Sequence, residues 1–524
     1  MTPPRSSGIA KSPASLPPAD ELCYRAVQTR DARFDGCFFT AVLSTGIYCR
    51  PSCAAVTPRR DRVRFFPTSA AAQRAGFRAC KRCRPDTAPG SPEWNRRGDT
   101  VGRAMRSIHD GVVDREGVEG LAHRLNYSAR QLQRLLVAEV GAGPLDLARA
   151  QRAETSRILL ETTDLKVGEV AFAAGFGSVR QFNDTVRAIF GESPSQMRER
   201  AGRSHRQLMP NGGGEGLAVP LRLAYRTPFP VDVLFRFLAE RAVPGVEQGD
   251  GGYYRRALTL PHGAGVVTVR DGGDGALRCS LCLDNLRDLT IAVRRIRQLF
   301  DLDSDPVAVA ALLGTDPVLA EAVRAVPGLR VPGHVDGGEL AVQAILGQQV
   351  SVLGARTAAG RLAASHGRLL SNPVGTVVRE FPSPEVLATI PLASLPMPAG
   401  RAKALHELVH LLASGELVLD PGADRDAVSA RLLAIPGVGP WTVAYVRMRA
   451  LSDPDAFLAG DLGVRRALER LGLPTGESSA TVLAEPWRPY RAYALQYLWS
   501  GLASVAPSDQ PRKAPPGAVR SKRQ

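Results

Sequence analysis

The chain has 524 residues, 44% hydrophobic and 23% charged, with 8 cysteines, a formal net charge of +16 and a pI near 9.9. That length exceeds what one hydrophobic core serves, so three or four domains are expected. No run of about 18 apolar residues marks a membrane span, and the N-terminal stretch lacks a secretory signal, so a cytoplasmic protein without a membrane partner is expected.

Arginine dominates the basic residues, which suits planar contacts with phosphates and guanine edges and puts nucleic acid first among partners. A basic surface kept for solubility is the alternative. The bias sits in the front half: residues 1–216 hold 33 Lys/Arg against 22 Asp/Glu.

In chain order, residues 1–18 are rich in Pro and Ser and are expected to be disordered. Residues 19–90 hold six of the eight cysteines, four of them packed between Cys49 and Cys83, and short β-rich runs such as Cys37–Val42, which predicts a small α+β module held by metal. Helical apolar spacing runs over 98–200. Residues 201–216 have glycine-rich linker composition, which predicts two halves that behave independently. Strands are expected from Leu221 to about Leu286, within a 217–290 α+β unit, then mostly helices over 291–505 and a disordered tail over 506–524. The fold class is thus multidomain α+β.

Cys49-Arg50-Pro51-Ser52-Cys53 and Cys80-Lys81-Arg82-Cys83 each place two sulfurs within reach of one tetrahedral ion, for which zinc is the natural choice. Spacing alone leaves a purely structural zinc open. Cys279 and Cys282 lack a second pair and read as structural, and Cys23 and Cys37 as buried thiols. The run from Phe38 through Thr45 to Cys53, with Ala75 to Asp86, resembles the N-terminal domain of Ada proteins. The resemblance implies methylphosphotriester repair, with Cys49 as acceptor among the zinc ligands Cys49, Cys53, Cys80 and Cys83. It places Thr45 and Arg78 against DNA; the arginines that follow the second cysteine in the family are Ala54 and Val56 here, with Arg59 and Arg60 nearby.

Leu121 to Leu136 reads as a short helix, a turn with Ser128 as N-cap, and an amphipathic helix, and the pattern recurs from Val167 to Asn183. Periodicity alone leaves structural helix pairs and DNA reading equally open. Ala173 to Asn183, continuing to Ser195, resembles the double helix-turn-helix domain of AraC/XylS-type activators. That resemblance implies an all-α unit with Arg130, Gln131, Gln133, Arg134, Arg180, Gln181 and Asn183 as DNA-binding candidates, promoter DNA as ligand and RNA polymerase as partner.

Ile435-Pro436-Gly437-Val438-Gly439-Pro440-Trp441 puts two glycines in a tight turn that opens a helix, where Gly437 and Gly439 permit close approach to a phosphate; a structural hairpin reads equally well. Asp461 follows some twenty residues on and would by itself be a solvated cap. Hairpin and Asp together, with Phe237–Val243 and Ile345–Val352, resemble AlkA-type 3-methyladenine DNA glycosylases over most of 217–505. This implies a TBP-like α+β subdomain, an all-α helix-hairpin-helix domain and alkylated double-stranded DNA as substrate. Asp461 would support excision, Trp441, Tyr445 and Trp499 would contact the lesion, and Gln349 would fill the gap left by the flipped base.

Trp441 stands where strand-cutting relatives carry a lysine, which implies hydrolysis without a lyase step. No Pro-Cys-His-Arg motif of a guanine-methyl acceptor is found. A regulator whose glycosylase-like half only binds damaged DNA is the alternative.

Overall fold

The computed structural model describes residues 20–205, 218–391 and 397–503, so both predicted disordered ends and residues 206–216 of the predicted linker lie outside the described residues. No described helix is long and apolar enough to cross a membrane.

The first unit is a four-stranded sheet. Its centre, Phe39–Val42, pairs antiparallel with Ile47–Cys49 and with Val63–Phe66, and Arg78–Ala79 adds parallel to Ile47–Cys49. Phe39, Ala41 and Tyr48 are buried beneath it, while helix Asp20–Gln28 turns Cys23, Ala26 and Val27 inward. Tyr48 lies opposite Ala79 in that parallel pair, so Cys49 and Cys80 emerge side by side from neighbouring strand ends. The long sequence gap between the cysteine pairs is thereby closed.

Next come two helix pairs. Val112–Arg124, broken at Gly117 (φ 72°), leads to Ala129–Val140, and Val167–Ala173 leads to Val179–Phe190. Ser128 and Ser178 accept from the backbone N–H three residues on, satisfying a donor that a helix start leaves open. Leu132, Leu136 and Val140 bury one face of the first downstream helix; Phe182, Val186 and Ile189 do so in the second. Helix Pro144–Thr162 joins the two pairs.

The second half opens with a five-stranded antiparallel sheet in the order Ala218–Ala224, Ala276–Leu283, Gly263–Asp271, Tyr253–Leu260, Glu247–Gly249. The expected α+β unit was read only through its strands; its helix, Val231–Arg241, falls between the first strand and the second. The first two strands lie at opposite edges, so the connection must cross a sheet face, and an amphipathic helix burying Val231, Leu234, Phe235 and Leu238 covers it. The remainder is helical from Leu289 onward except for a hairpin, Leu369–Val374 with Val377–Arg379, that sequence reading missed. This hairpin is tied to the sheet, because Arg255 donates to the Val374 carbonyl (3.4 Å) and the Thr376 N–H donates to Gln248 (3.2 Å).

The sheet and helices meet around Arg256, which donates to Glu247 (2.9 Å) and Glu339 (2.7 Å) with its side chain 1% exposed. His334 completes the cluster. Burial pushes Glu339 up, the Arg256 guanidinium beside it opposes that shift, and burial holds His334 well below its ordinary range. The guanidinium supplies the positive charge that these carboxylates need.

The two halves are not independent. Arg124 reaches Asp420 (2.6 Å), Arg425 donates to the Asn95 carbonyl (2.7 Å), and the Gly90 N–H donates to Asp303 (2.7 Å). A flexible connector fixes only how far two bodies can separate, not whether their surfaces attract.

Arg256→Met should destabilise the second half by about 3–5 kcal/mol, since two buried carboxylates lose their partner. Urea unfolding followed by fluorescence, with Arg256→Lys for comparison, measures this.

Candidate zinc centre and DNA-facing sites

The Sγ atoms of Cys49, Cys53, Cys80 and Cys83 all lie within 4.8 Å of one another. That spacing fits four sulfurs at about 2.3 Å from one tetrahedral ion. Four converging thiols cannot all ionise unaided. Hydrogen bonding with Cys53 and Cys83 holds the Cys49 thiol far above its ordinary range, while hydrogen bonds from Cys49 and Cys83 pull Cys53 well below it. A doubly charged cation resolves this conflict, and thiolate donors match zinc.

The peptide N–H groups of Ala55 and Arg50 support Cys53 and Cys83. Asp35, 3% exposed, accepts from the Ser52 N–H (3.0 Å) and the Ser52 hydroxyl (2.6 Å), pinning the loop between Cys49 and Cys53. Thr45 is exposed at the adjoining turn. Arg78 is half-buried against Gly191, at the end of helix Val179–Phe190.

On the downstream helices, Arg130 and Arg134 are exposed and one helical turn apart; Arg180 and Gln181 are exposed neighbours at the start of the second, and Asn183 is half-buried. Gln131 is engaged locally: its side-chain oxygen accepts from the Ser128 N–H (3.1 Å) in a capping box. Gln133 lies against Gly143. The two arginines are therefore the freer pair for DNA.

In the second half, helices Arg425–Leu433 and Pro440–Arg449 are joined through Gly437, whose φ of +92° favours glycine, and Gly439, which caps the second helix. Gln348 donates to the Gly437 carbonyl and to the Thr442 hydroxyl, both at 3.1 Å, fastening this turn to the loop that carries Gln349. Gln349 itself is exposed, with φ +56°.

Asp461 caps helix Leu462–Arg470 by accepting from the Val464 N–H (3.1 Å). The same carboxylate also accepts from the indole N–H groups of Trp441 and Trp499, each at 2.9 Å. The cap and the candidate site are thus one group. Trp441 stacks on Tyr445 with centroids 5.2 Å apart and planes 8° from parallel, and Arg449 donates to the Tyr445 hydroxyl (2.6 Å).

Three stretches match known families: residues 22–86 the metal binding domain of Ada, 121–200 a helix-turn-helix domain, and 220–336 the AlkA N-terminal domain. The chain is 53% identical over 482 residues to the probable bifunctional transcriptional activator/DNA repair enzyme AlkA of Mycobacterium tuberculosis, covering 92% of this chain and 96% of that protein. The chain belongs to the family of bifunctional transcriptional activator/DNA repair enzymes AlkA.

Its two parts also match separate proteins. DNA-3-methyladenine glycosylase 2 of Escherichia coli is 33% identical over 283 residues, 53% of this chain and 95% of that protein. The bifunctional transcriptional activator/DNA repair enzyme Ada of Escherichia coli is 32% identical over 205 residues, 39% of this chain and 52% of that protein. The four cysteines of this AlkA-family chain form a zinc site.

Sequence reading missed Asp35, Gln348, Arg449 and Gly463. For Gly463 a signal existed. A glycine inside the first turn of a helix weakens it, so a glycine two residues after Asp461 marks a close approach. A Cβ there would lie 2.9 Å from the Trp499 indole nitrogen and 2.8 Å from Asp461 Oδ1.

Purified protein should carry one zinc per chain, and Cys83→Ser should lose most of it. Metal release to a chromogenic chelator after thiol blocking measures both.

Proposed function

We propose that this chain repairs alkylated DNA by two chemistries and activates transcription in response. The observation that carries the excision reading is Asp461 held between two indole N–H groups beside a glycine hairpin. In this reading residues 19–90 are the methyl-acceptor unit, 98–200 the helix-turn-helix unit, 217–290 a TBP-like α+β subdomain and 291–505 the helix-hairpin-helix glycosylase domain.

Bound zinc keeps the cysteine sulfurs deprotonated at neutral pH. Cys49 Sγ attacks the methyl carbon of a DNA methylphosphotriester; a sulfur–carbon bond forms, the carbon–oxygen bond breaks, and the phosphate regains its negative charge. Cys49 becomes a thioether, so the reaction is suicidal. One negative charge leaves a surface that faces a polyanion, and affinity for DNA rises. Arg130, Arg134, Arg180 and their neighbours then hold promoter DNA, with RNA polymerase as the partner that is recruited.

For excision, the hairpin N–H groups at Gly437 and Gly439 hold the backbone phosphate. The flipped base leaves the stack, Gln349 fills the gap, and a cationic alkylated purine such as 3-methyladenine packs against Trp441, Tyr445 and Trp499. As the glycosidic bond breaks, positive charge grows on the sugar, and the oriented Asp461 carboxylate stabilises it and assists water. Trp441 offers no amine, so the strand is left uncut.

Asp461→Asn should lower release of free bases from alkylated duplex DNA by about 100-fold or more with DNA binding retained. Gly463→Ala should lower it less, by displacing the Trp499 indole. No release by wild-type protein would leave only the regulatory reading. Cys49→Ser should abolish methyl uptake from methylphosphotriester DNA while base release continues, which labelled methyl transfer measures.

A further inference from the structure

Arg226 follows the edge strand Ala218–Ala224 and is 5% exposed. Its fork is filled by backbone carbonyls: Nε donates to Arg33 O (3.0 Å), Nη1 to Gly90 O and Asp303 O (both 2.9 Å), and Nη2 to Asp35 O (2.6 Å). Cys37 Sγ lies 3.6 Å from Nη2. Three of the four carbonyls belong to the zinc unit, so a buried cation of the glycosylase half is solvated by the regulatory half. Behind it the Arg226 carbonyl accepts from Arg330, which lies over the Phe229 ring at 4.9 Å.

Asp35 is the hinge of this joint. Its carbonyl seats Arg226, and its carboxylate holds Ser52 inside the loop between Cys49 and Cys53. The neighbouring turn has no slack, since a Cβ on Gly36 would lie 1.8 Å from the Pro89 carbonyl oxygen. A second attachment, Arg103 to Gly422 O and to Asp424 (both 3.2 Å) with Arg124 to Asp420 (2.6 Å), fixes the orientation. Arg130, Arg134, Arg180 and Gln349 stay exposed in this docked arrangement.

We propose that zinc binding and docking of the two halves are linked: an occupied four-cysteine site orders the 49–53 loop, the loop fixes Asp35, and Asp35 completes the socket for Arg226. Linkage is reciprocal, so docking also tightens zinc. The inference rests on the zinc reading of the cysteines, and zinc content measured beforehand separates failure of that reading from failure of this one.

The test uses the full chain with a protease site placed between residues 206 and 217, cut after folding, and association of the cut halves followed on dilution by sedimentation. Zinc-loaded protein should stay associated, and chelation should weaken association by about tenfold or more. Arg226→Ala should weaken it similarly in loaded protein that keeps its zinc and its base release, with Arg226→Lys in between because an ammonium cannot fork. Ser52→Ala, which spares Arg226 and removes the hydroxyl bond to Asp35 while keeping the backbone N–H bond, should reduce the effect of chelation on association. Equal association of wild-type halves with and without zinc overturns the linkage; unchanged association in Arg226→Ala overturns the socket.

Discussion

A guanidinium taken out of water must have its N–H groups met, and this chain closes its internal seams with such groups. Arg256 joins sheet to helices through two carboxylates; Arg226 joins the halves through three carbonyls of the zinc unit. Arg425 does the same at a second point, donating to Asn95, Leu451 and Ser452 carbonyls. These bonds form only when every strand or loop that supplies an acceptor is in place, so one side chain enforces the relative position of several segments. The fixed geometry of the fork makes the seam specific as well as strong.

This changes how the net charge of +16 is understood. Composition pointed to nucleic acid, and Arg130, Arg134 and Arg180 on exposed helix faces fit that. Yet Arg106, Arg226, Arg256, Arg330, Arg425 and Arg449 are each 8% exposed or less. They face carbonyls and carboxylates of the protein itself. Counting arginines therefore overstates the field available to DNA, because a formal charge says nothing of whether it is spent inside.

Local chemistry was the legible part of the sequence. Two cysteine pairs, serine caps followed by glutamine, and a proline–glycine turn before a helix each carry their geometry in a few adjacent residues, and the structure forms the corresponding turns and helix starts. What escaped needed knowledge of distant partners. Gln131 was a DNA-binding candidate by resemblance, and its place at the third helical position also makes it the reciprocal member of a capping box. Helix Val231–Arg241 lay unseen among strands because only the strand order, with first and second at opposite edges, requires a crossing. Arg226 carries no local signature, since its acceptors lie up to 193 residues away in sequence.

The docked arrangement bears on how two repair chemistries work from one chain. Loosely tethered units would search DNA separately, with the tether setting only an effective concentration. Units held by Arg226 and by the Arg103–Asp424 contact present their proposed DNA-contact residues in one fixed relation. In the proposed function, a gain in DNA affinity at the zinc unit would lengthen the residence of the Asp461 site near the same helix, without a change at Asp461 itself. The fixed relation also restricts which DNA both halves can hold at once, so the seam that concentrates the glycosylase also limits where it can act.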